Sequence, residues 1–270
     1  MCIGKGDVME LFDAMGFHWD RAVLPGDVPV HSIERACFRF QRMLPEFVWD
    51  ASMLEGNPFT YPEVQTLLDG ITVGGRAISD QEQVLNLAAS AKKLLALVRA
   101  GDFAVTKQVF CDLHALVARQ EAMEWGHFRG EGAEHNYSRH VALGSAGHYT
   151  PLPTVAGAPA LNAVFVEGVE ALHQAACEPL EKAVALFLFG ALQQFFFDGN
   201  KRTSRLLMNG VLLTNGIDSI SVPAMRQTEF NEKMVLFYVT KNATEMMRFM
   251  VSCHPDVKHV PAHHHTSPSP

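Results

Sequence analysis

The chain has 270 residues, 48% of them apolar and 19% charged, an ordinary globular composition with apolar mass for one large core or a core with an appended helical part. A formal charge of −7 argues against non-specific nucleic-acid binding, which needs a basic surface to meet phosphates. Five scattered cysteines (Cys2, Cys37, Cys111, Cys177, Cys253), odd in number and without C-x-x-C spacing, read as reduced thiols, which with the lack of a basic-then-apolar leader or an 18-residue apolar run predicts a cytoplasmic protein with no membrane span.

Residues 8–18 predict a short helix with Met9, Leu11, Phe12, Met15 and Phe17 apolar, and residues 24–29 a breaker-rich linker. From 32 to 48 one helix is expected, capped by Ser32, with Ile33, Ala36, Cys37, Phe40, Met43, Leu44 and Phe47 as its stripe and Pro45 breaking or kinking it near the end. Residues 51–64 then read as a helix end, a turn and a new helix start. Gly56 stops the first helix in a left-handed conformation, and Thr60 opens the second with Pro62 in its first turn and Glu63 completing a capping box. By pattern alone, Glu55 is a solvated residue at that corner.

A loop over 71–77 leads to a strong helix at 80–98, broken by Gly101 and Asp102, and to another at 106–120 with Val109, Phe110, Leu113, Leu116 and Val117 as its apolar face. His114 on that helix reads as a packing or surface residue. Residues 140–150 predict a short β-hairpin bent at Gly144 and Gly147 and closed by Pro151 and Pro153; a plain surface loop is the alternative. Helices follow at 160–176 and 180–197, the second apolar all round and therefore central. Another runs from 201 to 215, ending at Asn215-Gly216; an extended connector at 217–223 and helices at 228–238 and 244–253 finish the body. The tail from 255, with His259, His263, His264 and His265 among prolines and serines, is expected to be disordered. No internal repeat is present.

The most informative stretch joins the two apolar helices: Gln194-Phe195-Phe196-Phe197-Asp198-Gly199-Asn200-Lys201-Arg202-Thr203-Ser204-Arg205. Gly199 permits the turn, and the helix after it opens with unpaired N–H groups and the positive end of its dipole. Arg202 and Arg205, three apart, share a helix face and suit a di- or triphosphate, since each guanidinium fork matches phosphate oxygens. Asp198 supplies a hard oxygen ligand at the mouth. A helix cap with two solvated arginines is the plain alternative.

This stretch resembles the signature of the Fic (fido-domain) family, H-x-F-x-[DE]-G-N-[GK]-R-x-x-R, at Phe196, Asp198, Gly199, Asn200, Lys201, Arg202 and Arg205; the leading histidine is replaced by Gln194. The resemblance implies a mainly α Fic fold, a helical bundle around a central buried helix pair with a small β-hairpin flap. The implied divisions are a helical segment at 1–50, an inhibitory-helix region at 51–78, a core at 79–254 and a tail at 255–270. It further implies protein adenylyltransferase chemistry on ATP and Mg²⁺, with Asp198 for the metal and Gly199, Asn200, Lys201, Arg202 and Arg205 for the phosphates. Gly126-His127-Phe128-Arg129 resembles the G-x-[FY]-R segment before the family's flap, so Gly147, His148 and Tyr149 are expected to lie over the site and hold a target segment by strand addition.

Many Fic proteins also carry an inhibitory helix, [ST]-x-x-x-E-[GN], whose glutamate pairs with the second motif arginine and displaces the γ-phosphate. Glu55 and Gly56 match it; Ala51 stands at the hydroxyl position, with Ser52 one residue late. The partners so implied are a protein target with a Ser, Thr or Tyr hydroxyl, or the chain itself, with a homodimer admitted and neither nucleic acid nor membrane. In active members the motif histidine takes the target's proton. An amide cannot, and losing such a base typically costs about 10²–10⁴-fold. Three readings follow: a slow transferase using His148 or a target side chain as base, a nucleotide-binding pseudoenzyme acting through a partner, and a phosphotransferase resembling the Doc-type toxins, which share N-K-R.

Overall fold

The computed structural model describes residues 5–257. Among them are eleven α-helices: α1 (Lys5–Met15), α2 (Ile33–Arg42), α3 (Leu44–Met53), α4 (Tyr61–Leu68), α5 (Ile78–Ala100), α6 (Lys107–Val117), α7 (Pro159–Gln174), α8 (Pro179–Gln193), α9 (Asn200–Thr214), α10 (Gln227–Thr240) and α11 (Thr244–Ser252). The one sheet among the described residues is an antiparallel pair, β1 (Val141–Ala142) and β2 (His148–Tyr149), with Val141 opposite Tyr149 and Ala142 opposite His148. The expected mainly α bundle with a small hairpin is therefore what the chain forms.

At the centre lie α8 and α9, the most extensively packed helix pair. Residues 183–192 of α8 are all buried, which is why its sequence is apolar all round: water reaches none of its faces. Glu181 near its start is the exception. It accepts Trp19 Nε1 at 2.9 Å and Arg21 Nε and Nη2 at 2.7 and 2.6 Å, tying the segment after α1 onto the central helix. One contiguous hydrophobic cluster runs from Leu11 to Val251.

Besides α6, which ends at Val117 and not at 120, three boundaries depart from the sequence expectation. The first helix stops at Met15, where Gly16 takes a positive φ, instead of reaching His18. The helix expected over 32–48 is two helices. Ser32 caps α2 as anticipated, accepting Arg35 N–H, but the chain breaks at Met43 and Pro45 sits in the first turn of α3, where its missing N–H costs nothing. Thirdly, α8 ends at Gln193 instead of 197, for a reason that belongs to the site. The loop at 71–77, the long helix α5 with its left-handed Gly101 cap, and the Thr60–Glu63 capping box of α4 form as expected. In α6, Phe110, Leu113 and Val117 are buried, while Val109 and Leu116 are half-buried.

The four described cysteines are free thiols. No helix among the described residues is long and apolar enough to cross a membrane. The histidine-bearing tail expected to be disordered lies, from residue 258 onward, outside the described residues.

Candidate functional site

The loop between α8 and α9 builds the site. Gln194 caps α8 in the left-handed region, φ 51°, which costs a non-glycine residue on the order of 1 kcal/mol. Surrounding bonds hold it there. Arg129, fully buried, donates from Nε to the Gln194 carbonyl at 2.6 Å, and its own N–H goes to the Phe195 carbonyl at 2.9 Å. These bonds draw away carbonyls that would otherwise continue the helix, so α8 stops four residues early. From inside the loop, Asn200 accepts Phe196 N–H at 2.9 Å and donates to the Phe196 carbonyl at 2.8 Å. Gly199, at φ +70°, then turns the chain into α9 without a side-chain cap, leaving the helix's positive end open.

The Gln194 amide faces the cleft, and both of its ends are engaged. Its oxygen accepts Arg139 Nε and Asn200 Nδ2, each at 3.2 Å. Its nitrogen donates to the Ala191 carbonyl at 2.6 Å and to Tyr238 Oη at 3.4 Å. That pattern also fixes which end is oxygen and which is nitrogen.

Glu55 reaches the open end of α9 from the turn after α3. Gly56 ends that turn at φ +82°, the left-handed stop expected. One Glu55 oxygen lies 3.5 Å from Arg205 Nη2 and the other 3.6 Å from Lys201 Nζ. Burial works to push the carboxyl's pKa up, but Lys201, Arg205 and Arg202 together outweigh it and hold Glu55 below the usual carboxylate range. Arg205 is buried, its guanidinium also lies over the Phe230 ring, and neither terminal nitrogen has a hydrogen-bond partner among the described residues. Burial accordingly pushes its pKa down, against the pull of Glu55. Ser52, the hydroxyl one residue late, is turned into its own helix and donates to the Val48 carbonyl at 2.7 Å.

Arg202 has a different counterion, Glu121, at 2.6 Å. Burial would depress its pKa, but Glu55, Glu121 and Asp198 together raise it. Glu121 also accepts Gln83 Nε2 at 3.0 Å, and Gln83 accepts Asn57 Nδ2 at 2.9 Å. A polar chain thus links the turn bearing Glu55 to the first motif arginine. The sequence reading missed Glu121 and Arg139, since neither stands at a motif position. Their only signal was being charged residues flanking a recognised segment.

Asp198 is 54% exposed at the cleft mouth. Its Oδ1 accepts Gly199 N–H at 2.7 Å, and Oδ2 lies 3.8 Å from Arg202 Nη2. A single accessible carboxylate beside the open start of a helix fits Mg²⁺, which keeps most of its ligands as water and substrate oxygens. His114, buried and stacked on Phe196 with centroids 3.7 Å apart, bonds through Nε2 to the Asp198 carbonyl at 2.9 Å. It is a packing residue, as one of the two expectations had it.

The hairpin carries the three expected flap residues. Gly147 turns at φ +88°; His148 is exposed with its ring against His140; Tyr149 stacks on Tyr238, whose hydroxyl faces Gln194. His148 does not line the cleft, which is formed by Glu55, Arg139, Gln194 and residues 198–202. With Glu55 in place this cleft measures about 20 Å³, space for roughly one water. Larger clefts, such as one of about 810 Å³ beside α7 and α9, are mainly apolar and contain none of the motif residues.

An all-helical bundle whose central hairpin presents an uncapped helix start with two arginines and an acidic mouth is a Fic-type architecture. The Fic/DOC family model matches residues 104–212. The chain is 25% identical over 216 residues to the protein adenylyltransferase Fic of Drosophila melanogaster, covering 77% of this chain and 40% of that protein. Among solved structures, a Fic domain containing signaling protein from Bacteroides thetaiotaomicron superposes with a TM-score of 0.68 at 18% identity, covering 92% of each chain. Residues 134–508 of Fic-1 from C. elegans superpose with a TM-score of 0.64 at 18% identity, covering 93% of this chain and 68% of that one. The Fic/DOC match thus falls on residues 104–212, and the chain has the Fic fold. It spans about 40% of the length of the curated relatives it matches.

Proposed function

We propose that this chain is an ATP-binding Fic protein of the protein adenylyltransferase type, held closed by Glu55 and slowed by Gln194 in the general-base position. The observation that carries this reading is the Glu55 carboxylate lying 3.5 Å from Arg205 and 3.6 Å from Lys201, at the open start of α9. A carboxylate there occupies the place that suits a terminal phosphate and satisfies the same cations. Two oxygens of one carboxylate are a weaker match to two cations and a helix terminus than a polyphosphate, so the closure is reversible by design of charge alone.

In the open state, Arg205 and Lys201 would meet the outer phosphates, and the N–H groups around Asn200 the α-phosphate. Asp198 would hold Mg²⁺, which when bound supplies neutralising charge. Transfer of AMP would join a target hydroxyl oxygen to the α-phosphorus, break the bond to the leaving pyrophosphate, and hand the hydroxyl proton to a base. Gln194 cannot take that proton. A protein target, or this chain acting on itself, is proposed from the name of the Drosophila relative.

A second reading, a nucleotide-binding pseudoenzyme, is favoured by one observation: the Gln194 amide has all its hydrogen-bonding ends engaged by Arg139, Asn200, Ala191 and Tyr238, so it acts as a strut. The experiment is calorimetry with ATP and Mg²⁺ on the parent and on Glu55→Gly, followed by transfer assays with α-labelled and γ-labelled ATP. Removing the carboxylate is expected to tighten ATP by about tenfold or more, on the order of 1.4 kcal/mol. No ATP binding by a folded Glu55→Gly variant overturns both readings. Label transferred only after adding Gln194→His supports the pseudoenzyme; γ-label in place of α-label supports a Doc-like phosphotransferase.

A further inference from the structure

Far from the α8–α9 loop, three pieces of chain meet: the start of α2, the connector after α9, and the segment after α11. His31 is fixed by its own backbone, since its N–H donates to the Gly216 carbonyl at 2.7 Å and the Gly216 α-carbon lies so close to the His31 carbonyl that a side chain there would collide. Two residues on, Asp218 is 3% exposed; its Oδ2 pairs with the Arg39 guanidinium, and its Oδ1 has no hydrogen-bond partner among the described residues. Asp256 comes from the C-terminal segment, with one oxygen 3.6 Å from His31 Nε2. His31 Nε2 likewise has no hydrogen-bond partner among the described residues. One ligand atom from each of the three lies within 4.8 Å of the others.

We propose that His31, Asp218 and Asp256 form a structural site for a divalent transition-metal ion, independent of the nucleotide cleft. An imidazole with two carboxylates is a donor set for Zn²⁺ or Mn²⁺, and a Zn²⁺ ion at about 2.0–2.2 Å from each would need donors about 3.4 Å apart. The present donors, within 4.8 Å of one another, would have to draw in to that spacing as the ion binds. His254 positions the site instead of ligating. Its Nδ1 accepts Asp256 N–H at 3.2 Å, so its other nitrogen carries the proton.

Arg39 is the competitor. Its guanidinium stands against Asp218 and lies 3.5 Å from Asp256, serving as the present counter-charge. It is 32% exposed on a flexible stem and free to swing outward. This contrast makes the proposal testable. If the cluster is only an ion-pair network, removing Arg39 loosens it; if it is a metal site, removing Arg39 strips away a repelling charge and tightens the ion.

The test uses the full chain with His259, His263, His264 and His265 each changed to Ala, so that tail histidines do not bind the probe. After chelator treatment, Zn²⁺ and Mn²⁺ are titrated by calorimetry and the melting temperature is followed. One Zn²⁺ per chain and a raised melting temperature are expected, with Zn²⁺ tighter than Mn²⁺. His31→Gln, at a partly exposed position, and Asp218→Asn should each weaken Zn²⁺ by about tenfold or more, and Arg39→Gln should strengthen it by a similar factor. Absence of saturable Zn²⁺ binding, binding unchanged in His31→Gln, or Arg39→Gln that lowers stability without gaining affinity would each overturn the proposal.

Discussion

Gln194 shows how much one side chain at the cleft can tie together. Its amide bridges Arg139, Asn200, the Ala191 carbonyl and Tyr238, so it is a joint in the loop. The substitution itself was legible in the sequence; the four partners were not, because three of them lie outside the motif. A second residue sets an acid limit. Burial pushes the His114 imidazole down to about 3, partly countered by the Asp198 carbonyl. The free chain protonates that side chain near 6.5 while the fold does not. His114 therefore favours folding fully above 6.5, and its contribution is lost as pH falls from there towards about 3, by up to about 1.4 kcal/mol per pH unit. Urea denaturation across that range should show a shallower pH slope in His114→Gln than in the parent; equal slopes would mean the ring is not excluded from water.

At the scale of elements, the decisive feature is where α8 stops. Its apolar pattern runs on through Phe195, Phe196 and Phe197, so periodicity alone extended the helix to 197. The structure bends those three phenylalanines into the core as a loop because Arg129 takes its carbonyls and Asn200 closes it from within. Arg129 also donates to Thr154 Oγ1 at 2.9 Å and to the Leu152 carbonyl at 2.6 Å, joining the motif loop to the chain leaving the hairpin. Arg129→Met should cost at least about 3 kcal/mol, since it leaves several buried acceptors without a donor. Arg129→Lys should not restore it, because an ammonium cannot span the planar fork. Chemical denaturation of both variants checks this; full stability in the lysine form would show that charge alone suffices. The turn bearing Glu55 is held in a comparable way. Asp50 of α3 accepts Ser221 Oγ and Ala224 N–H, both at 2.8 Å, and Gln227 donates to the Met53 carbonyl at 2.5 Å. Glu55 is thus aimed by the connector and the start of α10, contacts that no local pattern around 51–64 announces.

Over the whole molecule, the segments expected as 1–50, 51–78 and 79–254 contribute side chains to one contiguous cluster, with Trp19 and Trp49 both packed into it or against it. Unfolding should therefore be a single transition, with tryptophan fluorescence and far-ultraviolet circular dichroism superimposing on heating. An early fluorescence change would mean that the segment around Glu55 opens separately, which would also lower the cost of admitting a nucleotide. By itself, the sequence determined the mainly helical class, the central apolar pair, the hairpin, and the residues that open α9 beside the cleft, because helix period, turn glycines and a compact motif are local signals. Tertiary structure alone decided that Glu55 also meets Lys201, that Arg202 belongs to Glu121, where α8 ends, and that His31, Asp218 and Asp256 converge. Each of these joins residues far apart in the chain, and charge or capping preference at one position does not specify which distant partner packing will bring to it.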